Sequence, residues 1–173
     1  MRFLKNKGNM NNKENVINVL DDYTIQDNVI ALLPANSNEY RTIVLTSNEK
    51  LYIKLTPLEI IKASCYHNFS SYEGRREAVK YLTNFQNKVP IPVNTSGGIY
   101  AFPTKSPTND DCVWLFYHHI KSIVDNQKGG MKSEFPSTVH FVNNTELPLN
   151  ISHFSLSHQF YRTAVCKSMF DSR

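Results

Sequence analysis

The feature that most constrains the fold of this chain is a series of short β-rich runs separated by turn residues. Residues 41–46 (RTIVLT) and 50–55 (KLYIKL) flank a short polar connection, residues 47–49, which predicts a hairpin. Gly97-Gly98 and Asn143-Asn144 separate further runs in the same way. Because such short connections join strands that run in opposite directions, the sequence predicts a mostly antiparallel sheet.

Helices are predicted in the middle of the chain and at its end. Thr56-Pro57 is typical of a helix start, with threonine as N-cap and proline at the first helical position. Ser70 and Glu73 have the spacing of a capping box, which predicts a second helix from Ser70 to about Phe85. The last helix is predicted from an apolar stripe formed by Phe154, His158, Tyr161, Val165 and Met169. The stripe is most simply part of the core, and a subunit interface is the alternative.

Residues 112–124 (CVWLFYHHIKSIV) are aromatic and β-branched and predict one strand, straight or bent. On such a strand His118 and His119 would point to opposite faces and could not share a metal ion. The chain as a whole is predicted to form a single α+β domain, residues 21–173, with a mostly antiparallel sheet and two or three packed helices. Residues 1–20 are predicted to be a flexible N-terminal segment, because residues 5–18 are almost entirely polar.

The basic residues are unevenly distributed. The formal net charge is +4 at pH 7, and the whole of that excess lies between residues 50 and 88. A localised positive excess is what a surface that binds a polyanion requires. The alternative is a solvated face on which the charges cluster by chance.

The densest part of this segment is SSYEGRR, residues 70–76. Hydroxyls and the amides of a helix N-terminus donate to phosphate oxygens, and arginine binds phosphate through two nitrogens or enters a narrow minor groove. Tyr161-Arg162 on the last helix repeats the pairing of an aromatic ring with a guanidinium. The alternative is a capped helix with Arg75 and Arg162 in internal salt bridges.

No catalytic motif of useful specificity is present in the sequence. It lacks the glycine-rich phosphate loops and the G-x-S-x-G nucleophile motif. Cys65, Cys112 and Cys166 are too far apart for a zinc site and are interpreted as reduced, mostly buried thiols. No apolar run approaches the ~20 residues that cross a membrane. We therefore expect a cytoplasmic protein without a cofactor, a metal ion or a membrane partner, and not an enzyme.

Four segments of the chain resemble the competence transcription factor family, ComK. They are Ser64-Cys65 with SSYEGRR; residues 90–93 leading to 99–106; residues 112–114; and residues 146–148 followed by YRTA at 161–164. The strings S-S-Y-x-G-R and Y-R-T-A are distinctive, and the resemblance extends over roughly residues 25 to 170. One departure is Phe69, where the relatives have glycine.

The resemblance implies a nucleoid-associated transcriptional activator of DNA-uptake genes. The family binds paired AT-rich boxes as a homo-oligomer, largely through the minor groove, and regulatory proteins are further potential partners. Arg75 and Arg76 are the candidates for insertion into the groove, and most other candidates would position phosphates. The predicted DNA-binding residues are Lys54, Lys62, Ser70, Ser71, Tyr72, Arg75, Arg76, Lys80 and Arg162.

Two other functions are compatible with the sequence. The first is a protein-interaction or regulatory module in which DNA binding is lost, with the stripe on the last helix as its docking surface. The second is a metal-dependent nuclease, for which Asp110 and Asp111 would be the candidate carboxylates.

Overall fold

The computed structural model describes residues 17–172, which form two sheets and three α-helices. The helices are α1 (Pro57–His67), α2 (Tyr72–Thr83) and α3 (His153–Asp171). The larger sheet contains β1 (Val19–Leu20), β2 (Val29–Pro34), β3 (Thr42–Thr46), β4 (Lys50–Ile53), β5 (Ile91–Asn94), β6 (Ile99–Pro103) and β7 (Trp114–Phe116). The smaller sheet contains β8 (Ile120–Asp125), β9 (Ser137–Phe141) and β10 (Glu146–Leu149).

The strand order is β1-β4-β3-β2-β7-β6-β5 in the larger sheet and β10-β9-β8 in the smaller one. Among these strands only β1 and β4 pair in parallel. The hairpin predicted around residues 47–49 is β3–β4, with Thr42 opposite Ile53. A single compact α+β domain with a mostly antiparallel sheet is therefore confirmed.

The central strands of the larger sheet are buried on both faces, whereas β1 and β4 at one edge are partly exposed. Along β7, Trp114 and Phe116 face α1 and α2, whereas Leu115 faces the smaller sheet and α3. Successive side chains of a strand point to opposite faces, so a strand between two layers must be apolar throughout. A third apolar cluster, which includes Val79 and Cys166, joins α2 to α3 beside β6. This cluster brings the two helices that carry most of the candidate residues into contact.

Residues 112–124 do not form one strand, and that prediction is wrong. A 3₁₀ turn at Tyr117–His119 separates β7 from β8, and the two strands belong to different sheets. The rings of His118 and His119 are 4.1 Å apart, and both reach the Asp27 carbonyl. The prediction that these two side chains point to opposite faces is therefore also wrong, because the turn interrupts the alternation of side chains that a strand would impose.

The stripe on α3 that the sequence predicts as core faces solvent. Phe154 is 80% exposed, and Tyr161, Val165 and Met169 are also exposed. The buried positions of α3 are Leu156, Gln159, Thr163 and Cys166. Half of these are polar, and hydropathy therefore points to the wrong face of the helix. They are tolerated inside because Gln159 and Thr163 form hydrogen bonds to backbone carbonyls.

Most of the predicted flexible N-terminal segment lies outside the described residues. Its last two residues, Val19 and Leu20, form β1 and pair with Tyr52 and Ile53 of β4. The ordered part of the chain thus includes at least these two positions. No helix within residues 17–172 is long and apolar enough to cross a membrane.

Candidate nucleic-acid interface

Helix α2 begins one residue later than the sequence predicts. Ser71, not Ser70, is its N-cap, and the Ser71 hydroxyl accepts a hydrogen bond of 2.9 Å from the Gly74 amide. A Cβ atom at position 74 would lie 3.0 Å from the Ser71 Oγ atom, so glycine leaves room for this cap. The adjacent Tyr72 is buried in the apolar core between the larger sheet and helices α1 and α2. Ser70 and Ser71, in contrast, remain partly accessible.

Arg75 turns into the protein. Its Nη2 atom donates to the Asn68 carbonyl at 3.2 Å, and its buried Nε atom has no hydrogen-bond partner among the described residues. Of the two alternatives left open for this residue, the structure shows internal pairing, although to a carbonyl rather than to an acid. Arg75 thereby holds the loop between α1 and α2.

That loop presents Phe69 to solvent. The Phe69 side chain is 100% exposed and its φ angle is +57°, in the left-handed region that favours glycine. Hydrogen bonds from the Phe69 and Ser70 amides to carbonyls of α1 fix this conformation. The glycine expected here in the relatives suits the backbone, whereas phenylalanine strains it.

We expect Phe69→Gly to raise the free energy of unfolding by about 0.5–1 kcal/mol. Relief of left-handed strain contributes about 1–2 kcal/mol, and the greater freedom of unfolded glycine removes part of it. Urea denaturation measures the change. Asn84→Gly is the matched control, since Asn84 has a φ angle of +61° that asparagine already tolerates. A lower stability of Phe69→Gly would contradict this account.

Four of the predicted cationic residues are accessible, but each is paired with an acid. Lys62 contacts Glu73 at 2.9 Å, and Lys54 contacts Asp21 at 2.6 Å. Arg76 and Lys80 share one acid, Glu77, at 2.9 and 3.2 Å. Solvent-exposed pairs of this kind are worth only about 0–1 kcal/mol, so a phosphate can compete for these cations.

Arg162 is a structural link between α3 and the segment after α2. Its guanidinium donates to the Gln159 Oε1 atom at 2.6 Å and to the Asn87 carbonyl at 2.8 Å. It also lies 4.3 Å from the centre of the Phe85 ring. Burial lowers the pKa of Arg162. The predicted alternative of an internal Arg162 is correct in position, but its partners are neutral oxygens and an aromatic face.

A groove lies beside this link, and we call it the basic groove. It has a volume of about 590 Å³. Its walls are Arg76 of α2, residues 86–89 after α2, residues 104–107 after β6, and residues 150–152 with Ser155 at the start of α3. Arg76, Lys88 and Lys105 contribute positive charge, and none of the described residues that line the groove is acidic. Such a surface attracts anions.

The sequence did not point to Lys88, Lys105 or the start of α3 as site residues. Lys88 lies inside the basic segment and Lys105 inside a segment of family resemblance, but neither belongs to a local motif. Gln159 of α3 donates to the carbonyls of Lys88 and Pro103, at 2.6 and 3.1 Å, beside two walls of the groove. These contacts join parts of the chain that are distant in sequence.

The residues considered for catalysis are dispersed. Asp110 and Asp111 are exposed, and Asp111 contacts Lys105 at 3.7 Å. Among residues 17–172, no three His, Cys, Asp or Glu side chains are arranged to hold a metal ion. All three cysteines are buried, as predicted, and burial raises the pKa of Cys65 to about 11 and that of Cys166 to about 12. Thiols with such pKa values are poor nucleophiles near neutral pH.

Comparison with known proteins places the chain in a family. Residues 20–173 match the family described as "ComK protein". The chain is also 32% identical over 156 residues to the competence transcription factor of Bacillus subtilis (strain 168), covering 89% of this chain and 78% of that protein. No solved structure gave a significant match. The family match spans nearly all of the described residues, and the chain therefore belongs to the ComK family.

Proposed function

We propose that the protein is a transcriptional activator of competence (DNA-uptake) genes that binds AT-rich boxes in duplex DNA, largely through the minor groove. The observation that carries this proposal is the 32% identity to a competence transcription factor. The position of the accessible cations supports it, since Arg76 of α2 lines a groove whose described lining has no acid, and Lys80 follows one turn later on the same helix. The proposal involves no catalytic step and no cofactor, and it places the protein in the cytoplasm with the nucleoid.

The predicted site residues divide into two groups by their contacts. We propose that Lys54, Lys62, Arg76 and Lys80 contact DNA directly, because each exchanges a weak ion pair for a phosphate. We further propose that the remaining residues support this surface. Ser71 caps α2, Tyr72 is buried beneath it, and Arg75 and Arg162 anchor α2 and α3, while Ser70 lies in the loop just before the cap. Arg76 then replaces the Arg75–Arg76 pair as the main candidate for entry into the minor groove.

A homo-oligomer is part of the proposal. The exposed apolar stripe of α3, with Phe154, Tyr161 and Val165, is suited to contact a second copy of this chain. Its exposure in the single chain is the supporting observation. Sedimentation velocity of the free protein and of its DNA complex measures the stoichiometry directly.

Binding to fluorescent duplexes tests the proposed function. One duplex carries two A/T boxes, a control has the same length and is GC-rich, and both are titrated over a salt series. We expect tighter binding to the AT-rich duplex and a fall in affinity as salt rises, because phosphate contacts release counterions. Absence of binding to both duplexes by folded protein would contradict the proposal and favour the protein-interaction module.

A further inference from the structure

The basic groove concentrates more positive charge than a chance gap between secondary-structure elements would carry. Three cationic residues line one cavity of about 590 Å³, although like charges repel and are normally dispersed on a protein surface. Of the three, Lys88 has no ion-pair partner within the described residues. The acids that pair with Arg76 and Lys105 are Glu77 and Asp111, which are exposed and do not line the groove. The charge of the groove is therefore available to a ligand.

Hydrogen-bond donors lie beside these cations. Thr104 lines the groove and is only 3% exposed, and its hydroxyl accepts from the Val113 amide at 3.1 Å. Its hydroxyl proton has no acceptor among the described residues. Ser152, the N-cap of α3, also lines the groove, and the first amides of α3 follow it. Buried donors and a helix N-terminus both favour an anion with several acceptor oxygens.

The walls of the groove are held in place before any ligand binds. Lys88 has a φ angle of +47°, a strained conformation for a lysine, and its carbonyl accepts from the buried Gln159 side chain. Arg162 holds the neighbouring Asn87 carbonyl at 2.8 Å. Strain of this kind persists only where the surroundings enforce it, and it is concentrated at functional sites. The side-chain network of α3 thus fixes the direction in which Lys88 leaves the backbone.

The chemistry of the lining identifies the class of ligand. It is cationic and hydroxyl-rich, whereas sites for small organic molecules are predominantly apolar and aromatic. Its volume exceeds what one inorganic phosphate fills, so a longer phosphate chain suits it better. From these observations, and on the basis of the proposed function, we propose that the basic groove binds the sugar-phosphate backbone of one DNA strand. The DNA-contact surface then extends from α2 to the loop after β6 and the start of α3.

The salt dependence of binding tests this assignment. The variant combines Lys88→Asn with Lys105→Gln, since asparagine tolerates the left-handed backbone at position 88. The matched control combines Lys121→Gln with Lys128→Gln and removes the same charge at two exposed lysines outside the groove. Circular dichroism and thermal melting establish that both variants are folded. The slope of log K against log salt is then measured on AT-rich and GC-rich duplexes.

We expect the groove variant to reduce the magnitude of this slope by about 1.8, since each lost phosphate contact removes about 0.9. Affinity for both duplexes should fall by a similar factor, because phosphate contacts carry no sequence information. The control should keep the slope of the unmodified protein. An unchanged slope in the groove variant, or a loss equal to that of the control, overturns the assignment.

Two further outcomes separate this inference from the proposed function. If the unmodified protein binds neither duplex, the proposed function fails and the assignment of the groove fails with it. If the unmodified protein binds DNA and the groove variant has the same slope of log K against log salt, only the groove assignment fails. Inorganic phosphate could instead raise the Tm of the unmodified protein and not that of the groove variant, while both proteins keep the same salt slope on DNA. That result would identify a free phosphate as the ligand and overturn the DNA assignment.

Discussion

Leu156→Ala is expected to lower the free energy of unfolding by about 2–5 kcal/mol. Leu156 is fully buried on α3, in the core between the larger sheet, the smaller sheet and this helix. Truncation removes its apolar contacts and leaves a cavity between layers that cannot easily collapse. Urea denaturation followed by far-UV circular dichroism, at a concentration where the protein is monomeric, measures the loss.

Phe154→Ala is the control for this prediction. Phe154 lies two residues away on the same helix but is 80% exposed, so we expect its truncation to change stability by no more than about 0.5 kcal/mol. The pair of variants decides which face of α3 is inside. A larger loss for Phe154→Ala than for Leu156→Ala in the monomer would mean that the hydropathic stripe, and not the face described above, packs against the sheets.

Arg162→Ala is expected to cost about 2–4 kcal/mol in stability. The substitution deprives the Asn87 carbonyl and the buried Gln159 Oε1 atom of a charged donor, and hydrogen bonds to charged groups contribute about 1.5–3 kcal/mol. It also removes the guanidinium from the Phe85 ring, a contact worth about 0.5–1 kcal/mol. Non-additivity within one network keeps the total below the sum of its parts.

Arg162→Lys and Ser168→Ala are the controls for Arg162→Ala. Lysine keeps the charge but cannot bond two diverging acceptors and cover a ring at once, so we expect it to recover less than half of the loss. Ser168 is exposed on the same helix and should tolerate alanine. Equal stability of Arg162→Ala and the unmodified protein would show that the link to Asn87 contributes nothing.

Arg162→Ala and Leu156→Ala should have different consequences for DNA binding. The Arg162 network fixes Asn87 and Lys88, which form one wall of the basic groove. Its loss should therefore weaken binding even at temperatures where the variant is folded. Leu156 does not itself line the groove, and its effect on DNA binding should follow its effect on the folded fraction.

Local patterns were sufficient where one residue type imposes one backbone conformation. Thr56-Pro57 predicts the start of α1, and Thr56 and Glu59 form both bonds of a capping box there. The short polar connection at residues 47–49 predicts the β3–β4 hairpin. At the start of α2 the same rule was one residue in error, because Ser70 and Ser71 offer the same side chain and only the backbone selects the cap.

The candidate site residues were predictable in type but not in arrangement. The basic segment and its arginines were evident from the sequence, and nothing in the sequence distinguishes an arginine that anchors a loop from one that faces solvent. Arg75 and Arg76 are neighbours, yet Arg75 binds the Asn68 carbonyl inside the protein and Arg76 lines the basic groove. On a helix, consecutive side chains diverge by about 100°, so the packing of α2 against α1 decides which one is buried.

By itself the sequence determined the fold class, the α1 cap, the β3–β4 hairpin and the resemblance to the ComK family, since these depend on short-range sterics, hydrogen bonding and local strings of residues. Only the tertiary structure decided which face of α3 is buried, where residues 112–124 break between two sheets, and that Lys88, Lys105 and Ser152 meet. Burial depends on what the other layers of the domain offer: Gln159 enters the interior because distant carbonyls accept its hydrogen bonds, and Phe154 stays outside because no layer covers it.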